Sequence, residues 1–305
     1  MMIDWMRPHR PARPRARRLA TALGVALLAD VHAAGAQGPF DLYRERTAMQ
    51  SVGERCRLFD APTAFALAAG QSQARTAALR AGADEVSLDR GAASARAQVA
   101  GLACNAPIVV KEAQRVRSAF ALFSTLHRMS FPGDVGAWRA DRTLAVHSAT
   151  WRLAQDAFAG QDKVVFGLAG REGQQALTVA VATPDGVQPY AARIVLRDAA
   201  RAPQPFISGG HPPLAARTPA PAAARTIMAE ARAPADRALL PEGVGVATAF
   251  RFPPAAMDAL QTLDPREAIS VDFLYPSTRG DRVRTAFLEV GDFNAGMAFL
   301  KMGPK

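Results

Sequence analysis

Cys56 and Cys104 are the only cysteines in 305 residues, and joining them ties together two stretches that otherwise read as separate helices. Apolar Met49, Val52, Cys56 and Phe59 recur at spacings of three and four, which predicts a helix over about 41–59 with Cys56 near its C-terminal end, pointing inward. Asp60-Ala61-Pro62 suits a helix start, an acidic cap followed by an early proline, and predicts a second helix through Phe65, Leu67 and Leu79 to Gly82. A third runs from Asp84 to Cys104-Asn105 with Val86, Leu88, Val99 and Leu102 inside. Pro107 opens a fourth, carrying Val109, Ala113, Val116, Phe120, Phe123 and Leu126.

Short loops make successive helices antiparallel, so the first and third run parallel and end at the same end of the bundle. Both cysteines lie at those ends. Closing a loop of about 49 residues removes unfolded-chain entropy equivalent to about 4 kcal/mol. Two buried free thiols are the alternative, since cysteine is often buried as a small hydrophobe.

The redox environment favours the bond. Residues 1–18 carry Arg7, Arg10, Arg13, Arg15, Arg17 and Arg18 against Asp4, and the apolar run Leu19–Ala29 follows. This run is shorter than the roughly 20 apolar residues that span a bilayer. Ala34-Gly35-Ala36 has the small-x-small form of a cleavage site, so residues 1–36 are expected to be a signal peptide cut between Ala36 and Gln37. The residues around Arg17-Arg18 match a twin-arginine signal poorly, and the general secretory route is favoured. Export places the chain in an oxidising space, periplasmic or secreted, where one cysteine pair reads as one disulfide. No lipidation cysteine follows the apolar run, and no later run reaches membrane-spanning length.

Charge excludes little beyond nucleic acid. Six of the 37 basic and two of the 27 acidic residues precede Gln37, so the surplus of +10 falls to +6 after cleavage. The remaining Lys and Arg form no block interleaved with aromatics, and no nucleic-acid surface is expected. With 49% apolar residues, a sizeable core is available.

Beyond 37–130, the helical domain, the period changes at Phe131-Pro132-Gly133. Strands are predicted at Leu144–Leu153, Lys163–Ala169, Leu177–Thr183 and Val187–Arg197, joined at Gly170–Gly173 and Pro184-Asp185-Gly186, which makes 131–199 an antiparallel meander. Residues 200–243 are a Pro/Ala-rich connector, with room for a short element near 223–232. Residues 244–305 read as a β-α-β-β-α unit: strand Val244–Phe252, helix Pro254–Leu263, strand Ala268–Tyr275, strand Arg282–Val290, and helix Phe293–Lys301 capped by Asp292. Ile269, Val271 and Phe273 share one face of the first hairpin strand, and Val283, Thr285 and Phe287 one face of the second. A lone hairpin is unstable, so this unit is expected to share a sheet with 131–199. The fold class is α+β: a disulfide-stapled helical bundle followed by antiparallel β structure.

No catalytic, cofactor-binding or metal-binding set emerges. After cleavage three histidines remain, His127, His147 and His211, far apart and outside any HExxH spacing. Ser208-Gly209-Gly210-His211 reads as a turn before two prolines rather than as a nucleophile and base, and no G-x-S-x-G occurs. Gly167-Leu168-Ala169-Gly170 lacks the lysine and the following helix of a phosphate loop. Arg279-Gly280-Asp281 matches an adhesion tripeptide, but its residue types are those of a hairpin turn. Trp138, Trp151 and Tyr190 are expected in the core rather than on a ligand.

Two functional classes follow. The first is a non-enzymatic exported module acting through its surface on a protein partner or envelope component. The second is a hydrolase or small-ligand-binding protein whose site gathers distant residues such as His147, Asp185, His211 and Glu289.

Overall fold

Two aspartates set the helical register. In the computed structural model, which describes residues 38–207, 212–278 and 280–304, Asp60 Oδ1 accepts from Thr63 N at 3.0 Å and Asp84 Oδ1 from Ser87 N at 2.7 Å. Each satisfies an amide that the first turn leaves open. The helices are α1 (Pro39–Cys56), α2 (Ala61–Arg80), α3 (Glu85–Ala100) and α4 (Pro107–Ala121). Helix α1 stops on left-handed Arg57, φ 51°, and α3 stops before Gly101, four residues short of the expected end. Cys56 and Cys104 form the disulfide, with Cα atoms 5.5 Å apart. It lies near the surface, Cys56 half-buried and Cys104 exposed. Val86, expected inside, is 64% exposed, because the first turn of α3 projects it outward while Leu88 turns into the core.

Glycine lets aromatic rings press against helix backbones. A Cβ on Gly53 would lie 2.6 Å from the Phe59 ring, on Gly91 2.8 Å from Phe40, and on Gly70 3.0 Å from Phe120. Methyl groups there would push the rings out of a close-packed interface.

Eleven described strands follow: β1 (Arg128–Pro132), β2 (Ala137–Asp141), β3 (Thr150–Ala159), β4 (Asp162–Arg171), β5 (Gln174–Ala182), β6 (Ala191–Arg197), β7 (Ala224–Met228), β8 (Ala231–Pro234), β9 (Thr248–Arg251), β10 (Ala268–Tyr275) and β11 (Arg282–Glu289). Helix α5 (Pro254–Gln261) precedes β10 and α6 (Phe293–Leu300) follows β11. One sheet has the order β1-β2-β3-β4-β5-β9-β8 and the other β11-β10-β6-β7. All their pairings are antiparallel.

The chain changes sheet after β5, and the Pro/Ala-rich stretch returns one edge strand to each, β7 beside β6 and β8 beside β9. Edges are where proline is tolerated, and Pro234 ends β8. The C-terminal unit divides likewise, β9 pairing with β5 and β10 with β6.

Four expected strand boundaries move. Residues 142–149 form a loop rather than the start of a strand, with Leu144 and Val146 about half-exposed. Phe131-Pro132 ends a strand of its own, and Gly133 N donates to Gly136 O at 2.7 Å to close the β1–β2 hairpin. Strand β6 begins only after Pro189, and β9 only after Gly243 and Gly245. Alternation in β11 is as expected, but Ala286 and Leu288 face the core, opposite Val271 and Ile269, while Val283 is exposed.

Phe166, Val179 and Phe250 from one sheet meet Ile194, Val271 and Phe273 from the other in a single buried cluster. Helix α5 packs against both β5 and β6, and α6 lies along β1 and β2 with α2 on its other side. Phe293 of α6 meets Trp138 at 5.0 Å between ring centroids. Asp292 occupies the α6 cap position but makes no cap bond from its side chain. Among the described residues, no helix is long and apolar enough to cross a membrane.

Candidate functional site

The interior carries more charge than an apolar core would, and its buried acids, Oδ1 of Asp292 apart, have specific partner sets. Glu289 is the clearest case. Its carboxylate accepts from three successive amides of the β1–β2 hairpin, Asp134 N at 2.9 Å, Val135 N at 2.9 Å and Gly136 N at 3.1 Å. Arg80, the last residue of α2, adds Nη2 at 3.2 Å and reaches Asp134 with Nε at 3.2 Å. Successive amides in a turn form a concave anion-binding nest, and here the chain's own side chain fills it.

A second set lies at the other end of β11. Arg284 donates to both oxygens of buried Asp162, at 2.7 and 2.9 Å, pairs with Asp185, and stacks 4.5 Å above the Tyr275 ring. Tyr275 donates to Asp162 at 2.8 Å, and burial first, then that bond, raises its pKa. A third joins Arg197 to Glu267 through two bonds, 2.7 and 2.9 Å, with Asp264 N also donating to Glu267 at 2.9 Å. Arg142 is fully buried and its guanidinium donates to the carbonyls of Gly303, Ser124, Leu126 and Met302 at 2.8–3.2 Å. These groups brace the fold.

Where α3 meets the loop before β10, Glu85 pairs with Arg75 and faces Asp264, itself held by Arg266. Burial, then Asp264, pushes the Glu85 carboxyl up. Asp264 is held below the usual range by its bonds to Arg266 and by Glu85, which outweigh its burial.

The described surface has a different feature: an open hollow of about 510 Å³ lined by His147, Ser148, Arg171, Asp236, Arg237 and Ala238. Three separate parts of the chain build it. Arg171 ends β4 in register with Gln174 of β5. The loop bearing His147 is held by Glu172 N donating to Ala145 O at 2.9 Å and by Arg152 donating to Thr143 O. The 236–238 segment is fixed by Ala235 N donating to Ala247 O at 2.9 Å and by Trp151 Nε1 donating to Leu239 O at 3.3 Å.

Of the distant residues named from the sequence, the three that are described, His147, Asp185 and Glu289, do not converge. Asp185 pairs with Arg284 near the start of β11, and Glu289 ends that strand five residues, about 17 Å, further along. His147 is in the hollow, and His127 is exposed before β1. Ser208, His211 and Arg279 lie outside the described residues, as do Ala36, Gln37 and the rest of the expected signal segment. Asp281 accepts from Tyr190 Oη at 2.6 Å, a bond that ties the β10–β11 turn to the residue before β6. Tyr190 is 47% exposed, contrary to its expected core position, because it precedes β6 at the sandwich margin; Trp138 is 1% exposed. Among the described residues, no group of three His, Cys, Asp or Glu is placed to hold a metal ion.

Arg171, Asp236 and Arg237 escaped sequence reading because they sit in a turn and a connector, where charged residues are the norm. No family model, no curated protein and no solved structure matches the chain.

Proposed function

We propose that the protein is an exported, non-enzymatic module that acts through its surface, in the periplasm or outside the cell, on a protein partner or an envelope component. The observation that carries this reading is the engagement of three of the buried carboxylates. Glu289, Asp162 and Glu267 each hold an arginine, and Glu289 and Glu267 hold backbone amides as well. A general acid or base must instead present its proton to a substrate within a hydrogen bond's reach. The basic N-terminal stretch, the apolar run, the Ala34-Gly35-Ala36 site and the Cys56–Cys104 bond support export.

The alternative, a hydrolase or small-ligand-binding protein, draws on the hollow, where His147 and Ser148 are adjacent. Neither side chain donates to or accepts from the other, so the serine is not activated in this arrangement.

The test is recovery of the protein from its native envelope after cross-linking in place. The expected product begins at Gln37, keeps the disulfide, and is joined to one recurring macromolecular partner. Recovery in the cytosol with residues before Gln37 attached would overturn the export part. Turnover of ester, peptide or phosphate substrates by the purified chain would overturn the non-enzymatic part.

A further inference from the structure

We infer that the hollow between the 142–149 loop, the end of β4 and the 236–238 segment is a binding site for an oxyanion, a carboxylate or phosphate group on a small ligand. Among the described residues, the side chains of His147, Ser148, Arg171, Asp236 and Arg237 make no hydrogen bond or ion pair. Several exposed arginines elsewhere are paired: Arg128 with Asp141, Arg139 with Asp156, Arg251 with Glu230. Five polar groups converging on one concavity without a partner are donors and acceptors available to a ligand.

Their chemistry selects the ligand. Two guanidinium groups offer planar forks that match the two oxygens of a carboxylate or phosphate, and charge-assisted bonds of this kind are about twice as strong as neutral ones. Ser148 adds a hydroxyl donor and His147 a ring N–H. Asp236 reduces the charge of the two guanidinium groups to a single positive surplus and supplies an acceptor for a ligand hydroxyl. The volume, about 510 Å³, falls within the range of small-molecule pockets, roughly 300–1,000 Å³, and far exceeds a bare phosphate. Ala238, in the wall of the hollow, offers apolar contact to the remainder of such a ligand.

The walls are fixed before any ligand arrives, since ladder or loop hydrogen bonds anchor all three segments. Preorganisation of this kind lowers the entropic cost of binding. The site does not depend on the surface-module reading, because an oxyanion can arrive free or as one group on an envelope component.

The full-length, oxidised chain is to be titrated with inorganic phosphate, with succinate, and with glycerol as a neutral control. Trp151 fluorescence and the His147 imidazole NMR signals report on the hollow. Parallel arms use vesicles of phosphatidylglycerol and phosphatidylcholine and vesicles of phosphatidylcholine alone. Saturable binding of phosphate or succinate that shifts His147, with none for glycerol, is expected; it should weaken about tenfold or more in Arg171→Gln/Arg237→Gln and fall as salt rises. Binding only to the anionic vesicles, with the same variant dependence, would assign the oxyanion to a membrane surface. If no anionic probe saturates, if His147 stays unshifted, or if the double variant binds equally well, the assignment is wrong. The two arginines have no described structural partner, so the variant should keep the parent's unfolding midpoint; should it misfold, the His147 response of the parent chain decides alone.

Discussion

Gln155 and Glu289 are joined by a side chain acting as a strand: Gln155 Nε2 donates to Glu289 O at 3.1 Å, and Gln155 Oε1 accepts from Glu289 N at 2.8 Å. Glu289 ends β11, the edge of the four-stranded sheet, and Gln155 faces the core from β3 of the other. The reciprocal pair reproduces the two-bond exchange of an antiparallel ladder and satisfies backbone groups that an edge strand would leave open inside the protein. It also fixes the orientation of the amide, since only one assignment supplies both donor and acceptor.

Replacing Gln155 by Ala or Leu should therefore orphan a buried N–H and a buried C=O together. At about 1–3 kcal/mol for each unsatisfied group, the expected loss is about 2–6 kcal/mol. Urea unfolding checks it, and a change below about 0.5 kcal/mol would mean the pair is not formed in solution.

Glu289 also governs the β1–β2 hairpin, and Glu289→Gln tests that role. An amide keeps one acceptor oxygen but turns NH₂ toward backbone N–H groups and Arg80, leaving a partly buried guanidinium with Asp134 but without the Glu289 charge. Breaking a buried pair from one side typically costs about 3–5 kcal/mol. Amide exchange at Asp134, Val135 and Gly136 should accelerate in the variant by more than at the β3–β4 ladder. Gly133→Ala should give the same local signature, because its Cβ would collide with Gly136 O and Glu289 Oε2.

The helices and the central strands were legible in the chain because their signals are local. Asp60 and Asp84 cap, Pro107 opens, and Ala268–Tyr275 alternates between turn residues. The choice of sheet was not legible. Nothing in Ala191–Arg197 marks it as leaving the meander for β10, since strand partners are selected by long-range packing. The Glu289 nest depends on contacts across about 150 residues, so Gly133 and Gly136 read as punctuation and Glu289 as one scattered acid. The hollow was hidden for the same reason: Arg171 and Arg237 look like any solvated arginine until the β4–β5 turn and the 236–238 segment are placed together.

The Cys56–Cys104 bond should matter most to the helices. Cys56→Ser/Cys104→Ser is expected to lose about 2–4 kcal/mol, the chain-entropy figure for a loop of this length being about 4 kcal/mol and native strain offsetting part of it. Thermal melts followed by far-ultraviolet circular dichroism, with and without reductant, are the measurement. The variant should melt at the temperature of the reduced parent. A variant melting with the oxidised parent would show that the bond adds nothing to this fold.

Asp292 links the same junction to pH. Its carboxyl is 5% exposed, Oδ1 has no hydrogen-bond partner, and burial, reinforced by nearby Glu289, pushes its pKa up to about 6 against the pull of Arg80 and Thr76. The folded protein thus holds this proton where the unfolded chain, with a carboxyl near the ordinary value of about 3.9, has released it. Between about pH 4 and pH 6 the unfolded state binds fewer protons, so this residue makes stability fall as pH rises through that window. The accumulated effect above pH 6 is about 2–3 kcal/mol at 1.36 kcal/mol per pKa unit. Asp292→Asn removes the ionisation and should be more stable than the parent at pH 7.5 by about 1–3 kcal/mol, less whatever its amide loses by facing Arg80. At pH 4 the two proteins should converge, because the parent's carboxyl is then protonated when folded. Paired urea titrations at the two pH values check the sign. An advantage at pH 4 that vanishes at pH 7.5 would place an ionised Asp292 as a stabilising partner of Arg80 instead.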